Sequence, residues 1–312
     1  MPDVTSSLEA RHSVLCLGRT YCDLVFTGLS GLPVLGRELF ADNVVVVPGG
    51  GAFITAAHLV NQGRSAALVT RLGTDPLSTG LEGALSDSGV DLAFVERSAD
   101  AGPQLTVAIV QPGDRAFLSR RAGHGWPATL QAALHAPGVR HLHIAEYATL
   151  AEIPDLVAQA KNRGLTVSLD PSWDETLIHD PSFLRNCRGV DLFMPNADEA
   201  SAIARTSNAQ EALDVLSSHF PWVVMKRGAD GAILAKASER CSLAAPQVNV
   251  VDTTGAGDAF NAGFLHRWLK GEDGRSCLRA AIEAGSLSVQ AAGGATALRQ
   301  DISISQPIND IA

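Results

Sequence analysis

Short apolar runs at residues 14–17, 66–70, 141–145, 165–169, 190–194 and 222–225 alternate along the chain with segments of helical periodicity, at 52–61, 77–88, 153–163, 198–205, 210–217 and 278–290. Runs of four or five residues are strand-sized and the segments between them are helix-sized. Strand–helix–strand alternation of this kind predicts an α/β fold, a mostly parallel sheet with helices on both faces. In such sheets ligands gather beyond the carboxyl ends of the strands. Polar residues that directly follow an apolar run are therefore the first candidates for function.

Two stretches break the rhythm. Residues 23–47 and 104–121 read as strands and turns, and the second carries Pro112-Gly113-Asp114-Arg115 as a hairpin signal between residues 105–110 and 116–118. Neither stretch is long enough to fold alone. Together they predict a small sheet projecting from a single domain that spans about residues 12–305, with 46% hydrophobic residues to supply its core. A net charge of −9 excludes a broad basic face for nucleic acid or an anionic membrane. No apolar run approaches the roughly 18 residues of a membrane helix. Residues 1–11 lack the order of a secretory signal and read as a disordered lead-in. The five cysteines form no Cys-x-x-Cys pair, which argues against a disulfide framework or a zinc site and for a reducing, cytoplasmic setting. His141 and His143 share one strand face. With no third ligand evident, packing or exposure is their expected role.

The densest chemistry lies in Val251-Asp252-Thr253-Thr254-Gly255-Ala256-Gly257-Asp258-Ala259-Phe260. Phe260, Phe264, Leu265, Trp268 and Leu269 are spaced as on a helix, so a helix begins at the glycines. Unpaired amides and the positive end of the helix dipole make that start an anion site. Asp258, in the first turn, is placed to take a proton from a hydroxyl attacking a phosphoryl group held there. The alternative is that Asp252 or Asp258 only caps a helix.

This string resembles the C-terminal signature of the ribokinase-like (PfkB) family of ATP-dependent sugar and nucleoside kinases. The resemblance implies that Asp258 is the catalytic base and that Gly255, Ala256, Gly257 and Asp258 form the anion hole. Four further motifs fall in the family's order over residues 18–295. Gly49-Gly50-Gly51 enters a helix where the family has a Gly-Gly substrate element, and a backbone without side chains can lie against a hydroxylated ligand. Many members carry an asparagine five residues after the first glycine; here it is Ile54. Asp23, after the first apolar run, matches a residue that binds substrate hydroxyls, a role suited to a carboxylate accepting two protons, unless it caps a turn. Glu146, beyond the 141–145 run, is a weaker candidate of the same kind.

Asn196 and Glu199 match the family's Asn-x-x-Glu motif, which organises magnesium and nucleotide phosphates. Mg²⁺ keeps several waters and is often held through one or two oxygen-bearing side chains. The same spacing also describes a capping box, and Asp198 is a competing neighbour. Lys226, Gly228 and Gly231 resemble the nucleotide-side loop, with Lys226 as a point charge near phosphate. Asp252 and Thr254, together with Ala291-Ala292-Gly293-Gly294-Ala295, resemble the carbonyl-rich pocket that holds potassium in many relatives.

The resemblance implies a ribokinase-like fold in which the small sheet lids the acceptor and often forms a dimer contact. It implies transfer of the γ-phosphate of MgATP to a primary hydroxyl of a sugar. Arg115, Arg120 and Arg121 leave a phosphosugar open, and Phe53, Phe117 and Trp126 leave a nucleoside open. A non-catalytic sugar or nucleotide sensor is the rival of another class.

Overall fold

The computed structural model describes residues 14–111, 114–291, 293–295 and 308–310. The expected lead-in, Pro112-Gly113 and Ala292 lie outside them. Thirteen strands are present among the described residues: β1 (Val14–Leu17), β2 (Tyr21–Thr27), β3 (Asn43–Gly49), β4 (Ala66–Leu72), β5 (Asp91–Arg97), β6 (Leu105–Gln111), β7 (Asp114–Arg120), β8 (His141–Ile144), β9 (Thr166–Leu169), β10 (Leu192–Phe193), β11 (Trp222–Lys226), β12 (Ala232–Lys236) and β13 (Glu239–Leu243). Nine of them form one sheet in the order β13-β12-β11-β10-β9-β8-β1-β4-β5, parallel from β11 to β5, with the β12–β13 hairpin added antiparallel at one edge.

Strand β1 shows why the sheet is covered twice. Val14 and Cys16 point into one core beneath the helices Gly51–Asn61, Ala256–Trp268 and Gly274–Ser288, while Leu15 and Leu17 point into a second core beneath Leu130–Leu134, Leu156–Asn162 and Ala209–Ser217. Alternating side chains buried on both faces require continuously apolar strands, which is the pattern the sequence carries. All six apolar runs became parallel strands. The segment 77–88 divides into two short helices, Pro76–Thr79 and Glu82–Asp87, and the segment 153–163 helps form a helix only from Leu156. His141 and His143 are fully buried, with Ser168 Oγ 2.8 Å from His141 Nε2 and from His143 Nδ1. Burial pushes the His143 imidazole down to about 4, so the pair packs as neutral rings.

The rhythm-breaking stretches pair with each other. They form a four-stranded sheet, β3-β2-β6-β7, in which β2–β3 and β6–β7 are antiparallel and β2–β6 is parallel. No helix among the described residues is long and apolar enough to cross a membrane.

Candidate active site

Each parallel strand from β8 to β11, and β1 beside them, delivers a polar residue at its carboxyl end: Arg19 after β1, Glu146 after β8, Asp170 after β9, Asn196 after β10 and Lys226 closing β11. The helix Ala256–Trp268 starts over the same edge. Its N-cap is Gly255, at φ +74°, a backbone angle that disfavours any side chain. Space demands glycine there as well, because a Cβ would fall 2.5 Å from the Gly294 Cα. Ile54 packs against both glycines from below and is buried, so the position that carries asparagine in many relatives supports the anion turn here and offers no polar contact.

Asp252 locks the turn from behind. It is buried and accepts from the Thr254 amide at 2.9 Å, the Thr254 hydroxyl at 2.7 Å and the Gly293 amide at 2.8 Å. This joins the two segments proposed for a monovalent cation, with both carboxylate oxygens engaged. The Ala256 amide donates to the Thr253 carbonyl at 3.2 Å. Gly257 and Asp258 thus carry the first-turn amides best placed for an external anion.

Asp258 sits in that first turn and faces the glycine tract. A Cβ at Gly51 would fall 2.7 Å from Asp258 Oδ1, and one at Gly49 only 1.8 Å from Asp23 Oδ2. Gly50, at φ +92°, has its would-be Cβ 2.3 Å from the Arg19 carbonyl. The three glycines therefore form a bare floor with a carboxylate at each end. Burial pushes the Asp258 carboxyl up to about 7, with the Asp170 carboxylate adding to the rise and Lys226 and Arg115 opposing it. Asp23 is 5% exposed and is also pushed up to about 7, first by burial and then by Asp258 and Asp252. It lies within β2, opposite Val47 and Thr106. Its place is in a strand, so the turn-capping alternative does not arise.

Lys226 and Asp170 anchor the opposite side. Lys226 Nζ lies 2.6 Å from Asp170 Oδ2, which also accepts from Asn261 Nδ2 at 2.5 Å. A Cβ at Gly257 would be 3.4 Å from the same Nζ, so the ammonium stands directly beside the anion turn. Burial alone would lower the Lys226 pKa; Asp170 and Glu199 more than reverse it, and the group stays charged. Asp170 is the candidate site residue that reading the sequence missed. Its signal was position: it is the first residue after β9, where ligands are met.

Asn196 and Glu199 do form a reciprocal capping box, with both bonds at 2.8 Å. Glu199 is nevertheless buried beside the site, and burial together with Asp170 pushes it up to about 7, while Asp198 is exposed. Capping and proximity to Asp170 and Lys226 coexist in the same residue. The loop glycines divide: a Cβ at Gly231 would collide with the Leu243 carbonyl at 2.0 Å, whereas one at Gly228 would meet open space. Glu146 is tied to Arg19. Its Oε1 accepts from the Arg19 amide and Nη1, each at 3.2 Å, and from the Thr149 hydroxyl. Among the described residues no cluster of three or more His, Cys, Asp or Glu side chains could cage a metal. A divalent ion held through Glu199 would complete its shell with water and phosphate oxygens, which is the usual habit of Mg²⁺.

The arrangement can hold an anion on helix amides flanked by an ammonium, and can take a proton at a carboxylate facing a bare glycine floor. A cavity of about 340 Å³ opens elsewhere, beside Phe53, Ala57 and Val60 on the other side of the helix Gly51–Asn61. It contains none of these groups.

The model of the pfkB family carbohydrate kinases matches residues 11–301 of the chain. Fructokinase of Escherichia coli is 26% identical over 290 residues, covering 82% of this chain and 90% of that protein. Cytidine kinase of Thermococcus kodakarensis is 27% identical over 286 residues, covering 84% and 94%. The structure of Arabidopsis thaliana ribokinase complexed with ribose and ATP has the same fold, with a TM-score of 0.77 at 23% identity over 92% of this chain and 95% of that one.

Proposed function

The chain belongs to the pfkB family of carbohydrate kinases, phosphotransferases with an alcohol acceptor, and we propose that it moves the γ-phosphate of MgATP to a primary hydroxyl of a small, unphosphorylated carbohydrate. The observation that carries this reading is the glycine floor with Asp23 at one end and Asp258 at the other. Asp258 takes the hydroxyl proton as the acceptor oxygen bonds to phosphorus, and the bond from phosphorus to the ADP oxygen breaks. Charge on the transferred group is balanced by the amides of Gly257 and Asp258 and by Lys226 beside them, preorganised stabilisation of the kind that dominates such steps. Asn196 and Glu199 would hold Mg²⁺ through water, and the bound ion would neutralise the nucleotide phosphates. A potassium ion behind the turn would be held by backbone carbonyls, the Asp252 oxygens being engaged.

Electrostatics favours a neutral acceptor. Asp23 and Glu146 line the acceptor side, and the arginines near them are already paired: Arg19 with Glu146 and Glu152, Arg121 with Asp174 at 2.8 Å. A phosphate or carboxylate on the acceptor would meet like charge. A nucleoside is the second reading, supported by the likeness to a cytidine kinase. Of its aromatic candidates Phe53 is 1% exposed and committed to the core, while Phe117 and Trp126 are accessible. The exposed Val44, Val46, Phe117 and Leu118 on the edge strands of the small sheet suit a second copy of the chain in a homodimer.

The test is ATP depletion across pentoses, hexoses, their phosphates, sugar acids and nucleosides, with and without potassium. A neutral sugar is expected to give the highest kcat/KM. The reading fails if no acceptor drives ATP consumption, and it gives way to the second if nucleosides lead.

A further inference from the structure

Arg115 comes from the small sheet and ends at the anion turn of the large domain. It lies in the edge strand β7, opposite Val110 of β6, and its Nη1 donates to the hydroxyl of Thr253. Thr253 belongs to the turn itself, since its carbonyl accepts the Ala256 amide that opens the helix. Phe117, two residues along on the same strand face, lies under the guanidinium with its centroid 5.2 Å from Cζ, which fixes the direction in which the arginine reaches. The other two arginines of the strand and its exit are directed away from the turn, Arg120 to the Pro103 carbonyl and Arg121 to Asp174. The guanidinium charge is felt at Asp258, where it opposes the rise caused by burial.

We propose that Arg115 is a catalytic residue that exchanges the Thr253 hydroxyl for an oxygen of the transferring phosphoryl group. The proposal rests on the γ-phosphate transfer put forward above. During that transfer the acceptor O–P bond forms while the bond to the ADP oxygen breaks, and the acceptor proton goes to Asp258. Negative charge is then spread over the equatorial phosphoryl oxygens, where a planar guanidinium offers paired donors in a fixed fork. An arginine delivered in this way is worth orders of magnitude in turnover in other phosphoryl-transfer enzymes.

The small sheet gives the residue a second consequence. Asp23 of β2 pairs with Thr106 of β6, and Thr106 pairs with Ser119 of β7, so the hydroxyl reader and Arg115 are carried by one hydrogen-bonded unit. An acceptor that seats against Asp23 also sets the arginine over the phosphate. ATP without acceptor lacks that alignment, which protects it from water.

The experiment compares Arg115→Gln, Arg115→Lys, Arg115→Ala and Thr253→Val in the full chain, with the best acceptor from the screen. Arg115→Gln is expected to lower kcat at least 100-fold with the ATP dissociation constant changed less than threefold, and to move the rising limb of the kcat/KM pH profile to higher pH. Arg115→Lys should recover about a tenth of the activity, and added guanidinium should restore Arg115→Ala in a saturable way. Thr253→Val, which removes the hydroxyl that Arg115 meets at rest, should lose less than tenfold. Equal losses in Thr253→Val and Arg115→Gln, with no guanidinium rescue and an unmoved pH profile, would reduce the arginine to a strut between sheet and turn and overturn the proposal. A wild-type chain that consumes no ATP with any acceptor instead removes the reading on which the proposal rests.

Discussion

Asp170 at the proposed phosphate end and Asp23 at the proposed acceptor end are buried to nearly the same degree, 6% and 5% exposed, yet their surroundings are opposite. Asp170 is met by the Lys226 ammonium, the Asn261 amide and the Ser172 backbone N–H. Among the described residues no donor reaches the Asp23 side chain, and the charges it feels most are the carboxylates of Asp258 and Asp252. The phosphate end is assembled from a paired, hydrogen-bonded network that holds itself in place. The acceptor end keeps an unpaired carboxylate, which costs stability and leaves its oxygens open to hydroxyl protons.

Asp258 joins the two ends, and its removal should have the largest effect. Asp258→Asn keeps the shape and removes the base, so kcat should fall by about 10³, within the range for loss of a positioned general base. Calorimetric ATP binding should persist; near-normal turnover would undo the assignment. In the wild type, kcat/KM should rise through about pH 7 as Asp258 loses its proton. Lys226→Met tests the paired end directly. It leaves Asp170 buried without its cation, and chemical denaturation should register a loss of about 3 kcal/mol. A loss below about 1 kcal/mol would mean that Asn261 alone satisfies Asp170. Gly255→Ala comes next, at about 2 kcal/mol, since an alanine there must hold φ +74° and intrude on Gly294. Gly257→Ala is its control, because that Cβ finds only ordinary contact with Lys226.

The same contrast explains what the sequence made legible. The six apolar runs and the anion turn were readable because each is closed over a few neighbouring residues: strand plus helix, or glycine plus first-turn acid. Asp23, Gly49 and Asp258 were named one by one, but their meeting across Gly51 depends on two sheets and could not be read from spacing. Asp170 was passed over because a lone Asp before Pro171 reads as the end of a strand; only the β9–β11 neighbourhood brings Lys226 to it. Strand β5 and the β12–β13 hairpin escaped for a related reason. β5 and β13 are the edge strands of the large sheet, where half-exposed residues blur the apolar signal, and β12 is the partner of β13.

Asp23→Asn gives the smallest predicted effect on catalysis and the most specific test of the unpaired end. Folding raises the Asp23 pKa from its ordinary 3.8 to about 7, so the folded state binds a proton that the unfolded chain releases. That binding supports the fold fully below pH 3.8, and the support is lost as pH rises toward 7. Asparagine has no proton to lose. The variant should therefore melt like wild type near pH 4, gain on it steadily up to about pH 7, and then hold a constant advantage. At the same time its kcat/KM for the acceptor should fall through a higher KM, because an amide cannot accept hydroxyl protons at both of its terminal atoms. A melting difference independent of pH would mean that Asp23 is already paired, and the contrast with Asp170 would disappear. A stabilised variant with unchanged acceptor KM would separate the two halves of the argument, leaving the buried charge real and its role in reading hydroxyls mistaken.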